Sequence, residues 1–195
     1  MVADEQFDKG LTRAEGVEIA RRFATGGKVD FLNLIRGRVA TDAELTGVIP
    51  IQGQASAPHL DFAGEVKAEV PIPIFHAAKI ADVATARHAV ASGKLDMVGM
   101  TRAHITDPHI VARIAAGQED RIRPCVGATY CLDRIYEGGQ ALCIHNAATG
   151  REARIGHAIP RASEARRVVV VGAGPAGLEA ARVAGERGHR VTLLE

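Results

Sequence analysis

Gly172, Gly174 and Gly177 stand in G-x-G-x-x-G spacing, with Pro175 and Ala176 between the last two. In a turn from strand to helix, the first glycine permits the tight bend, the second lets a pyrophosphate approach the backbone, and the third lets helix and strand pack closely. Amides left free at the helix start then face the phosphates. Glu195 follows about 20 residues later, where an acid accepts hydrogen bonds from a ribose. Together these residues predict a dinucleotide site. A second group is Cys125, Cys131 and Cys143, the only cysteines in the sequence. An odd, closely grouped set of thiols argues against a disulfide framework and for thiolate ligands or plain buried thiols.

The elements that must position these residues read as alternating strands and helices. Residues 168–171 are an apolar, β-branched run suited to a strand buried on both faces. Residues 178–187 read as the helix after the glycine turn, Gly188 as its stop, and 190–194 as the next parallel strand. Nearer the amino terminus, Thr12 and Glu15 fit a capping box for a helix carrying Val17, Ala20, Phe23 and Ala24 on one face. Strands are predicted at 29–35, 72–76 and 95–100. Asp82 caps a helix between the last two, and Asp107 caps another over about 108–116. Residues 36–69 show no sustained period and read as a long loop. Residues 118–160 carry the cysteines with little periodicity, and 161–167 form a polar linker.

Composition narrows the partners. Of 195 residues, 24 are basic and 23 acidic, giving a formal net charge of +1, so neither nucleic acid nor an acidic membrane surface is expected as a partner. No stretch approaches the length of a membrane span and no leader opens the chain, so a cytoplasmic location is expected. The 47% hydrophobic content is ample for sizeable cores.

The order DMVGMTRAHITDP, then RPCVGATYCLDRIYEGGQALC, then GAGPAG resembles the iron-sulfur flavoproteins of the old yellow enzyme superfamily, which include 2,4-dienoyl-CoA reductase, trimethylamine dehydrogenase and N-methyl amine demethylases. The resemblance covers nearly the whole chain and implies an α/β architecture in three parts. Residues 1–117 would be the C-terminal part of an FMN-binding (β/α)8 TIM barrel, its strands six to eight, with the fifth lying before Met1. Residues 118–160 would be a cysteine-containing connector with an iron-sulfur site. Residues 161–195 would be the first βαβ unit of a Rossmann-like FAD- or NAD(P)-binding domain. Barrels commonly bind phosphate after strands seven and eight. By this resemblance Ala78 and Lys79 border the flavin, while Gly99, Met100, Thr101 and Arg102 line its phosphate pocket. Arg102 suits that role through its fixed guanidinium donors. His76 and His104 lie near the same rim, but neither is assigned to catalysis; the family's substrate-facing acid falls outside these residues.

The cysteines depart from the family pattern, because Ala128 stands where a second cluster cysteine is expected. Iron-sulfur clusters are normally held by four thiolates. Three could hold a three-iron cluster, or a four-iron cluster completed by water or a side chain such as Asp133 or His145; alternatively the thiols are structural, or bind zinc. The implied function is an FMN-dependent oxidoreductase acting on an N-methylated amine or amino acid, using FMN, FAD or a bound ADP moiety, NAD(P)H and a cluster. Its partners would be a small-molecule substrate and a second copy or electron-transfer protein. Alternatives are an NADPH-dependent 2,4-dienoyl-CoA or enoate reductase and, from another class, a non-catalytic fragment or nucleotide-binding module.

Overall fold

The computed structural model describes all 195 residues, which form two compact units, Met1–Thr149 and Gly150–Glu195. The division falls at Gly150, upstream of the boundary expected near residue 160.

The first unit is a four-stranded parallel sheet in the order β1-β2-β3-β4, with β1 at Val2–Asp4, β2 at Leu32–Arg36, β3 at Ile74–His76 and β4 at Met97–Val98. Its register sets Leu32 beside Ile74 and Leu34 beside His76, so one face of β2 and β3 carries Leu32, Leu34, Ile74 and His76, all buried. Successive residues of a strand face opposite ways, so Asn33 and Phe75 belong to the other face. Against the first face pack helices α1 (Arg13–Thr25), α3 (Leu60–Ala68) and α4 (Val83–Ala91), through Ala20, Phe62, Ala63, Val66 and Ala89. Away from this core, Phe31 stacks on Phe75 at 4.6 Å, and Phe31 and Met97 are each about half exposed.

Several helix starts follow the expected chemistry. Thr12 accepts the Glu15 amide while Glu15 accepts the Thr12 amide at 2.9 Å, a complete capping box for α1. Asp82 accepts the Thr85 amide at 2.7 Å and starts α4. The three predicted strands appear in shortened form, and Val2–Asp4 adds a strand where the sequence reading has none. That strand is held from outside itself: Ile35 N–H donates to Met1 O and Gly37 N–H to Asp4 O. An Asp4–Arg36 ion pair at 2.9 Å ties it further to β2.

The expected long loop at 36–69 is corrected. It contains α2 (Asp42–Val48), capped by Thr41, and α3. The apolar residues of α3 sit among glycine and charge and become a helix face only because β2 and β3 offer them a surface. Two further short helices follow β4, α5 at Thr101–Thr106 and α6 at Ile110–Ala115. Between them lies the buried Asp107, whose carboxylate accepts the amides of His109 and Arg123 and pairs with Arg113. The cysteine segment also holds a helix, α7, at Tyr130–Tyr136.

The second unit pairs β5 (Arg167–Val171) with β6 (Arg190–Leu194) in parallel, joined by α8 (Pro175–Glu186). The helix begins at Pro175, three residues before its expected start, with proline in the first turn where a missing N–H costs nothing.

Candidate functional site

The loops after β3 and β4 meet at one end of the sheet. Gly99 N–H donates to His76 O at 2.8 Å, and a Cβ built on Gly99 would lie 2.8 Å from Cβ of Ala77, closer than packed carbons approach. Only glycine lets these two loops touch. After β3, Ala78 and Lys79 have φ of 128° and 52°, conformations that side chains other than glycine rarely adopt. Such geometry costs about 1–3 kcal/mol per residue and persists only when the surroundings enforce it. Here Lys79 O accepts Ala57 N–H at 3.2 Å and the Ser56 hydroxyl at 3.1 Å, while the Lys79 ammonium donates to the carbonyls of Ile51, at 2.8 Å, and Gln54.

These loops border a cavity of about 360 Å³, within the range of about 300–1,000 Å³ typical of small-molecule sites. Ala78, Lys79, Gly99, Met100, Thr101 and Arg102 all line it. Arg102 Nη2 donates to Pro50 O at 2.7 Å, whereas its Nη1 is buried with no partner. A buried cationic donor without an acceptor costs free energy, and an anion in the cavity would remove that cost. Pro50, Gly127 and Leu132 also help to shape this site, yet sequence reasoning does not pick them out. They arrive from distant segments and carry no chemical signature of their own.

His76 is buried on the neighbouring strand, and its Nδ1 lies 2.9 Å from Leu34 O. A carbonyl only accepts, so Nδ1 carries the proton. Burial holds His76 below the usual histidine range, the hydrogen bond to Leu34 works the other way, and nearby His59 adds to the lowering. His104, by contrast, is exposed at the outer side of α5.

A second, smaller cavity adjoins the first and shares Arg102, Cys125 and Gly127 with it. Its walls bring together Cys125, Ala128, Cys131, Cys143 and His145. All three cysteines are free thiols. Burial pushes the Cys131 thiol up, neighbouring Cys125 adds to this, and Arg102 partly offsets it. Cys143 Sγ accepts the His145 amide at 3.4 Å and lies 3.6 Å from the Thr106 hydroxyl. No three histidine, cysteine or acidic side chains converge on one point as the ligands of a single metal ion do. An iron-sulfur cluster is different, since each ligand binds its own iron and the ligands ring a space. Three thiols around one cavity, one of them accepting N–H···S hydrogen bonding, fit that arrangement, with the Ala128 corner lacking a thiolate. Asp133 does not reach this cavity.

In the second unit, Gly172 has φ of 97°, and a Cβ on Gly177 would lie 1.8 Å from Gly172 O, so the first and third glycines are required by the turn itself. A Cβ on Gly174 would meet no protein atom, which leaves room for a ligand against the backbone. Glu195 Oε2 accepts the Ala173 amide at 2.7 Å. The acid at the end of β6 therefore sits directly against the glycine turn, with Pro175 and Ala176 opening α8 beside it.

The model of the pyridine nucleotide-disulphide oxidoreductase family matches residues 20–195. The chain belongs to that family. Among its relatives, a "Probable N-methylproline demethylase" from Rhizobium meliloti (strain 1021) is 66% identical over 99% of the chain and 28% of the relative. A "Multifunctional alkene reductase/demethylase OYE" from Caballeronia cordobensis is 50% identical over 97% of the chain and 27% of the relative. Among solved structures, a 2-naphthoyl-CoA reductase complex superposes with a TM-score of 0.88 at 29% identity, over 99% of the chain and 29% of that protein. The chain thus spans somewhat more than a quarter of the length of these relatives. They bear out the resemblance to old-yellow-enzyme-type flavoproteins and the mixed α/β fold. No helix is long and apolar enough to cross a membrane.

Proposed function

We propose that the full-length protein is an FMN-dependent oxidoreductase that dehydrogenates or demethylates N-methylated amines or amino acids. The observation that carries this reading is the buried, unpartnered Nη1 of Arg102 on the wall of a cavity of ligand size. In it, Arg102 and the backbone from Gly99 to Thr101 hold the flavin phosphate, and the strained Ala78–Lys79 loop borders the flavin. Met1–Thr149 then supplies part of a TIM barrel, whose further strands cover the exposed face bearing Phe31 and Met97. The glycine turn binds the ADP part of FAD or NAD(P)H, with Glu195 turning to the ribose, and the cysteine cavity holds an iron-sulfur cluster. Bound flavin supplies the hydride chemistry, while the protein supplies position and electrostatics. Three free thiols suit the reducing cytoplasm.

The amine substrate class comes from the 66% identical demethylase. The alternative, an NAD(P)H-driven reductase of activated alkenes or thioesters, is favoured by the name of the 2-naphthoyl-CoA reductase, while the Caballeronia cordobensis relative is named for both alkene reduction and demethylation. Anaerobic mixing of the full-length protein with N-methylproline or sarcosine should bleach the flavin spectrum and release an imine or aldehyde product. Bleaching by NADPH with turnover of enoyl thioesters, and none with any N-methylated amine, would replace the first reading with the second. Purified protein without flavin would overturn both.

A further inference from the structure

The corner of the cysteine cavity occupied by Ala128 has a neighbour able to complete it. His145 lines the same cavity as the three thiols, and its backbone amide already donates to Cys143 Sγ. Its ring is anchored as well. Nδ1 lies 2.9 Å from the carbonyl of Pro124, the residue just before Cys125, and since a carbonyl cannot donate, Nδ1 must carry the proton. In the neutral ring that leaves the lone pair on Nε2. Metal-binding histidines almost always show this arrangement, with one nitrogen donating to a carbonyl or carboxylate and the other held for the metal.

We infer that His145, through Nε2, is the fourth ligand of a cluster otherwise held by Cys125, Cys131 and Cys143. This rests on the reading that the cavity holds an iron-sulfur cluster, but not on the choice of substrate. Asp133 is outside the cavity, and the Thr106 hydroxyl is engaged with Arg102 O at 3.0 Å as well as lying near Cys143. Replacing a thiolate with a neutral imidazole also removes one negative charge from the ligand set. In clusters where histidine replaces cysteine, this change raises the reduction potential.

The test uses the full-length protein purified without oxygen, with iron, acid-labile sulfide and flavin measured per chain and pulsed electron paramagnetic resonance recorded on the reduced sample. A four-iron cluster showing strong coupling to one nitrogen is expected. His145→Gln should lose that coupling and yield a three-iron spectrum, with flavin content and amine turnover recorded separately as a check on the rest of the molecule. His145→Cys should keep the four-iron cluster, lose the nitrogen signal and shift the potential lower. Ala128→Cys in the His145→Gln background should restore a four-iron cluster without nitrogen coupling. Absence of iron and sulfide in the wild-type protein would overturn the inference, as would a wild-type cluster lacking nitrogen coupling or a His145→Gln spectrum identical to wild type. Loss of amine turnover with the nitrogen-coupled cluster intact would instead count against the substrate reading alone.

Discussion

Replacing Arg102 with glutamine is the sharpest test of the proposed flavin cavity. Nη1 is buried and unpartnered, and Nη2 is bound to Pro50 O. A hydrogen bond to a charged group contributes about 1.5–3 kcal/mol, and each ~1.4 kcal/mol is a factor of ten in Kd. Loss of the Nη1 contact should therefore weaken FMN binding by roughly 10- to 150-fold. The lost Pro50 contact involves a neutral acceptor and acts through the shape of the cavity, so it affects any flavin alike. Riboflavin, which lacks the phosphate, separates the two effects. In flavin-free full-length protein titrated by fluorescence quenching, the preference for FMN over riboflavin should fall by the full 10- to 150-fold in Arg102→Gln. Arg102→Lys should lie between, since it keeps the charge but loses the planar pair of donors. Equal weakening of FMN and riboflavin would refute the assignment, leaving Arg102 as a strut for Pro50.

Two further outcomes follow from the packing. Gly177→Ala places Cβ 1.8 Å from Gly172 O and must distort the turn, so binding of ADP-containing nucleotides, measured by calorimetry, should be abolished; unaltered affinity would remove the turn from the nucleotide site. His76, held neutral by burial, makes stability depend on pH in a defined direction. The unfolded chain takes up a proton near the ordinary histidine value of 6.5 while the folded His76 resists until lower pH, so its contribution to stability is present above that value and is lost as pH falls below it. His76→Gln should flatten the urea midpoint between pH 7 and pH 5 relative to wild type, and an unchanged slope would show that other groups set it.

Features carried by neighbours in the chain were legible in the sequence. The Thr12–Glu15 capping box, the Asp82 cap and the glycine turn need only residues within a few positions of each other, so their chemistry is local. The group from Gly99 to Arg102, singled out through resemblance rather than periodicity, lines the larger cavity. The helices at Leu60–Ala68 and Tyr130–Tyr136 were missed, as was the strand at Val2–Asp4. In α3 the apolar residues are interrupted by Gly64 and by charge, and the strand is too short for any alternation to show. Their stability comes from the surfaces they meet, which the linear pattern does not contain.

By itself the sequence determined the kinds of chemistry available: a glycine turn with an acid beyond it, three thiols with an alanine among them, and an arginine after a strand-end glycine. Only the tertiary structure decided how those groups are used. It left Arg102 Nη1 without a partner, pinned Glu195 to the Ala173 amide, and turned the His145 ring by bonding it to Pro124. The physical reason is that residue types set which bonds a group can make, whereas desolvation and the partners present at a buried site decide which of those bonds remain unmade and open to a ligand.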